Sequence, residues 1–250
     1  MKSALSVLIL LLCLGNPHTR AAIPIELQPW LDRPQNWQRD TAGPIVELGP
    51  PGNFDDTHLF APGVARNGNQ WMLWYSGSTA DVANRVFQLG LATSSDGRRF
   101  TKHSPDPVYA FGDGRQSVLT PVPLRHTDGS VAREDGKLRM WFTSTWFARG
   151  KGVHTLHETT SPDGLSWSSP SPPLMTGVYA PTIVKGGRIY QMWYTDVSGS
   201  PWIIRHAWSM DGRKWRATPE PCLLLDQEWE DQNLFYPHVI KVGDAFLMWY

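Results

Sequence analysis

Beyond its first twenty residues the chain has one cysteine, Cys222; the other of its two, Cys13, lies in the leader. A single thiol forms no internal disulfide, and Cys222, which opens the run Cys222-Leu223-Leu224-Leu225, reads as buried and inert. Neither sign of charge is in excess, with 23 Lys and Arg against 23 Asp and Glu. That balance lacks the basic field of a nucleic-acid binder, and no run of like charges offers a membrane-surface patch. No His or Cys pair stands at zinc-ligand spacing, and there is neither a phosphate-cradling glycine loop nor a Gly-x-Ser-x-Gly elbow. The long apolar run Ala4 to Leu14 is too short to span a bilayer, so no membrane span is expected. Between Met1-Lys2-Ser3 and Gly15-Asn16-Pro17 it reads as a secretory signal peptide over 1–21, cut near Ala21, which makes the product secreted or periplasmic. Cys13 would suit a lipid anchor, but Leu10-Leu11-Leu12 before it lacks the small residues such a site uses.

Turn formers and indoles are plentiful: 22 Gly, 21 Pro and 13 Trp in 250 residues. The mixture points to short aromatic-rich strands in one all-β domain, 22–250. A phrase recurs four times, a strand opening on proline followed by a strand ending in Met/Leu-Trp-aromatic. The copies are Phe60-Ala61-Pro62 with Leu73-Trp74-Tyr75, Leu119-Thr120-Pro121 with Met140-Trp141-Phe142, Tyr179-Ala180-Pro181 with Met192-Trp193-Tyr194, and Phe235-Tyr236-Pro237 with Met248-Trp249-Tyr250. The prolines stand 59, 60 and 56 residues apart, a period of repeated supersecondary units with β-propellers among the leading candidates.

A second phrase, Ser-x-Asp-Gly-x-x-aromatic, occurs at Ser94 to Phe100, Ser161 to Trp167 and Ser209 to Trp215. Aspartate bonds local N–H groups and glycine accepts positive φ, so this is a hairpin turn and its aspartates are structural. Each unit therefore predicts four antiparallel strands. The second strand is apolar on both faces (Trp71, Leu73 and Tyr75 against Met72 and Trp74), as a blade between two neighbours requires. Trp37 through Val46 repeats the fourth-strand phrase without its first three strands, and is expected to close the last blade against strands from the C-terminus. The count is three full blades, one half blade and this closing strand. Either the ring is four-bladed and lacks a strand, or the chain is a C-terminally incomplete member of the five-bladed type. The second is preferred, because stopping inside a buried strand exposes an apolar edge.

In a propeller the first strands line the central channel, so residues just before each repeated proline face its mouth. Two blades share a longer phrase there, Phe54-Asp55-Asp56-Thr57-His58-Leu59-Phe60 and Trp229-Glu230-Asp231-Gln232-Asn233-Leu234-Phe235. Two acidic loops meeting at one mouth could supply the carboxylate pair of glycosidic chemistry, one acid donating to the leaving oxygen and the other attacking or activating water. The plainer alternative has Asp56 and Asp231 capping their loops, and Asp55 and Glu230 solvated. Glu158 replaces an apolar strand residue and is a third candidate acid. Asp196 follows the third Met-Trp-Tyr strand at the same mouth. His58 and Asn233 would orient substrate hydroxyls, and Trp146 could stack on a sugar face, although aromatics that merely pack loops are as common.

The phrases Ala61-Pro62-Gly63-Val64 through Trp74-Tyr75-Ser76-Gly77, Leu91-Ala92-Thr93-Ser94-Ser95-Asp96-Gly97, Ala180-Pro181-Thr182-Ile183 and Met192-Trp193-Tyr194 resemble the five-bladed propeller superfamily of glycoside hydrolases. Families 43, 32, 62 and 68 are the nearest in pattern, with family 130 phosphorylases close by, and the resemblance runs from about Trp30 to Tyr250. It implies a glycosidase-like propeller that acts as a monomer on a polysaccharide or oligosaccharide without a cofactor. A calcium ion at the axis needs no linear motif and stays open. Family 43 is expected to place its base aspartate where this chain has Ala61, and its acid glutamate where it has Ala180 or Tyr236. The family's acids thus do not carry over: either the chemistry uses Asp55, Asp56, Glu158, Glu230 or Asp231, with Asp56, Asp231 and Glu158 the preferred catalytic acids, or a part beyond Tyr250 supplies an acid. The alternative is a non-catalytic propeller that binds carbohydrate or protein.

Overall fold

The structure is a computed structural model that describes residues 7–10, 25–31, 37–81, 83–150 and 152–250. The N-terminal segment contributes β1 (Val7–Leu10). The first sheet runs β2 (His58–Asn67), β3 (Gln70–Ser78), β4 (Gln88–Ser94) and β5 (Thr101–Lys102). The second has β6 (Leu119–Pro123), β8 (Lys137–Ser144), β9 (Thr155–Ser161) and β10 (Met175–Thr176), with the short β7 (Arg133–Glu134) also paired to β8. The third comprises β11 (Val178–Gly186), β12 (Ile189–Asp196), β13 (Ile203–Ser209) and β14 (Arg216–Ala217). The fourth holds β15 (His238–Val242) and β16 (Ala245–Trp249). Strands follow one another from inside to outside in every complete sheet, all antiparallel.

The inner strands neighbour one another in the order β2, β6, β11, β15. All four repeated prolines, Pro62, Pro121, Pro181 and Pro237, border one cavity of about 200 Å³. The sheets are thus blades of a β-propeller around a shared axis, and the prolines form the neck of its channel. The residue before each proline has a left-handed backbone: Ala61 at φ 51°, Thr120 at 47°, Ala180 at 45° and Tyr236 at 52°. Proline disfavours the right-handed helical region for the residue before it, and in the first three blades the pairing register shifts at this dipeptide. Each of those inner strands therefore begins before its proline and bulges there, where the sequence alone suggests a strand starting at proline.

Between blades lie sheets of buried side chains. Trp74, Leu91, Met140 and Phe142 fill the space between the first and second blades. Trp141, Leu156, Met192 and Tyr194 fill the next, and Trp193, Ile204, Val239 and Met248 the third. Burying side chains of this size stabilises by about 2–3 kcal/mol each. The Ser-x-Asp-Gly turns lock these layers. In the second blade's turn, Ser161 Oγ accepts from the Gly164 amide (2.7 Å) while Asp163 Oδ1 accepts from the amides of Leu165 and Ser166 (2.8 Å each). In each turn the two amides that follow the glycine hold the aspartate (Asp96, Asp163 and Asp211) at about 2, well below the ordinary aspartate value. The turn carbonyl then receives an indole from the preceding blade: Trp74 Nε1 donates to Gly164 O (3.0 Å) and Trp141 Nε1 to Gly212 O (2.8 Å). Trp193 is the next copy, but its indole finds no hydrogen-bond acceptor among the described residues.

The expected closing strand does not form. Residues 37–46 hold no strand; Trp37 meets Trp249 edge-on, Asp40 pairs with Arg98 (2.7 Å), and Val46 packs on Leu73 and Tyr75. A fourth strand needs a third to pair with, and the third-strand place beside β16 is held by the short β1, paired antiparallel from Val7↔Trp249 to Leu10↔Phe246, whose outer edge residues 37–46 do not join. The cleavage region near Ala21, like Cys13, lies outside the described residues. Cys222 is a half-buried free thiol pushed up to about 11 by burial, so it is protonated at neutral pH. No helix among the described residues is long and apolar enough to cross a membrane.

Candidate functional site

At the end of the channel where the inner strands begin, a cavity of about 560 Å³ opens beyond the neck. Its walls come from the loops that enter first and third strands. On one side Phe60 from β2 packs edge-on to Phe87 (4.6 Å), which in turn meets Phe147 (5.9 Å). The Arg85 guanidinium lies 4.3 Å from the Phe147 ring centre and 5.6 Å from that of Phe87. On the other side the hydroxyls of Tyr179 and Tyr236 bond each other (2.6 Å), and Trp202 stands edge-on to Phe235 (5.2 Å). His154 contacts Tyr179, and burial pushes it down to about 4, so it is neutral at pH 7. Burial, then the bond to Tyr236, pushes the Tyr179 hydroxyl well above the usual tyrosine range. His58 completes the ring, with Nε2 shielded from water and without a partner among the described residues.

Among the described residues no carboxylate lines this cavity. Asp55 is fully buried, accepting from the Tyr75 hydroxyl (2.9 Å) and pairing with Lys102 (2.6 Å). Glu230 does the same in the fourth blade, accepting from Tyr250 (2.8 Å) and from the amides of Asp226 and Gln227. The shared acidic phrase thus ties each entering loop to the tyrosine of the repeated Trp-Tyr pair in its own blade. Asp56 accepts from the Gly52 amide (2.8 Å) and Thr57 Oγ1 (2.8 Å), which lower its carboxyl: it is the turn cap of the plainer reading. Asp231 is exposed and does not reach the cavity wall. Glu158 lies between the second and third blades, buried under Arg139 and Arg213. Asp56, Asp231 and Glu158 therefore do not form a carboxylate pair at the mouth.

The remaining sequence candidates divide. Asp196 sits at the rim, bound to Arg205 (2.8 Å) and to the Ser198 amide (3.0 Å). Asn233 Oδ1 accepts from the Trp202 amide (2.8 Å) and so fixes a wall residue from behind. Trp146 precedes Phe147 and lies under Arg115 rather than in the cavity. Only His58 is itself a wall residue. The walls that sequence reasoning missed include Tyr179 and Tyr236, which sit inside the repeated phrase one or two places before proline, a position that could have flagged them. Arg85, Phe147 and His154 stand in loops without a repeat and carry no such mark. No group of three His, Cys, Asp or Glu able to hold a metal occurs among the described residues.

No family model matches the chain. Two uncharacterized proteins of Mycobacterium tuberculosis are 27% identical over 223 residues, 83% of this chain and 72% of theirs. A solved glycoside hydrolase superposes with a TM-score of 0.60 at 15% identity, over 80% of this chain and 67% of its own. The family 32 β-fructofuranosidase of Bombyx mori gives 0.56 at 15% identity, over 76% of this chain and 42% of the enzyme. A family 117 glycoside hydrolase of Zobellia galactanivorans gives 0.54 at 13% identity, over 69% of this chain and 48% of that protein. The chain spans less than half the length of these last two. The fold is that of the propeller-type glycoside hydrolases, as the repeated phrases suggested.

Proposed function

We propose that the protein engages a saccharide at the aromatic mouth of its channel, as a carbohydrate-binding propeller. The observation that carries this reading is a cavity walled by seven aromatic rings at the place where propeller loops converge. Pyranose faces present C–H groups that pack on such rings, while Arg85, the histidines and the tyrosine hydroxyls supply the few polar groups that fix orientation. The apolar leader supports export as the setting. Hydrolysis of a glycosidic bond is the second reading, favoured by the glycoside hydrolase neighbours. It requires two carboxylates about 5–5.5 Å or 6.5–9.5 Å apart, and the described walls carry none.

A glycan array followed by titration calorimetry, run beside a panel of aryl glycosides, tests both readings. Saccharide binding without turnover is expected, weakened about tenfold in Trp202→Ala through loss of a packing ring. Asp56→Asn and Asp231→Asn should bind as the parent does. Turnover by the parent that falls in either aspartate variant would install the hydrolase reading instead.

A further inference from the structure

Arg85, at the mouth, has no counter-ion among the described residues. Arg139, Arg205 and Arg213 are paired with carboxylates, and Arg98 meets Asp40 at the surface. Arg85 makes no ion pair or hydrogen bond among the described residues. Its Nε is sealed from water without a partner, while its terminal nitrogens are not sealed in this way. The guanidinium is held instead by the rings of Phe147 and Phe87, which fix its plane without neutralising it. Its charge is felt at the Tyr179 hydroxyl on the facing wall. With no Asp or Glu in the described wall and His154 neutral, the cavity carries a net positive field.

A rigid fork of donors matches a planar, two-oxygen acceptor, and such charge-assisted bidentate pairs are about twice as strong as neutral hydrogen bonds. We propose that the ligand of this mouth is an acidic saccharide, a uronic acid unit whose carboxylate takes the terminal nitrogens of Arg85 while its ring packs on the facing aromatics. The proposal rests on the carbohydrate reading above and narrows it to one substrate class. Arg85 is then the specificity-determining residue, and His58 and the Tyr179–Tyr236 hydroxyl pair face the sugar hydroxyls.

Trigalacturonic acid, its methyl ester and neutral galactotriose, titrated calorimetrically into the full chain, separate the outcomes. The free acid is expected to bind roughly ten- to a hundredfold more tightly than its ester. That ratio should collapse toward one in Arg85→Gln and recover partly in Arg85→Lys, with thermal melting checking that each variant folds. Added salt should weaken the acid and leave the ester unaffected. Equal binding of acid and ester by the parent overturns the proposal and leaves the saccharide reading standing, as does a ratio that survives Arg85→Gln. A preference for a sulfated oligosaccharide over the uronate overturns the carboxylate assignment. Failure to bind any saccharide on the array overturns both.

Discussion

Glu134 and His206 show how single side chains set the acid limit of this fold. Burial alone pushes Glu134 up, but bonds from Lys185, Tyr190 and Arg139 outweigh it and hold the carboxyl at about 2. A depressed carboxyl stabilises fully above its unfolded value of 4.5, and that contribution drains away as pH falls toward 2. His206 has both ring nitrogens shielded without partners, packs on Trp193, and is pushed down by burial to about 4. The fold therefore binds the neutral ring, and stability is whole above 6.5 and lost as pH falls toward 4. His154 adds to the same limb. Urea midpoints measured from pH 8 to 3 should be level above pH 7, decline from about 6.5, and steepen below about 4.5. His206→Phe should flatten the upper limb without touching the lower one. A midpoint in the parent that is constant from pH 7 to 5 would contradict this account.

At the scale of elements, the interlock between blades concentrates its tolerance in the turn glycines. A Cβ on Gly212 would meet Arg139 Nη2 and Trp141 Cζ2 at 2.7 Å each, on a backbone at φ +70°. Gly68, also left-handed, has nothing within 4 Å of the same position. Gly212→Ala should therefore cost about 2–4 kcal/mol, adding overpacking to backbone strain, and Gly68→Ala only about 1 kcal/mol. Denaturant titration distinguishes them, and equal losses would mean the indole-to-turn contact carries nothing. These turns could be read from the sequence because Ser, Asp and Gly act locally: the Ser and Asp oxygens accept from amides two or three residues away, and Gly takes the positive φ. The bulge before each proline could not, since nothing in Ala61-Pro62 states that pairing will slip by one residue there. The acidic phrase misled for an instructive reason. Two copies of one acid in equivalent loops signal an equivalent structural task, and Asp55–Tyr75 with Glu230–Tyr250 is that task.

Across the whole molecule, the period of the tryptophan and proline phrases was enough to place four sheets about one axis, because burial on both faces of a strand leaves few other architectures. The mouth was not legible in the same way. Its walls come from loops that differ from blade to blade, and Arg85 reaches Phe147 across 62 positions that no spacing rule connects. The last blade departed from expectation for a similar reason: the segment that lies along β16 is β1, from far outside the repeat, and no repeated phrase marks it. The neck has a consequence for engineering. At four points a side chain is launched from a backbone hand that alanine, threonine and tyrosine enter only under duress. Aspartate and asparagine enter it more willingly, so Ala61→Asp should melt no lower than the parent in calorimetry, and a lower melting point would refute this. The ring would then accept a grafted acid at its throat as a relief rather than a burden.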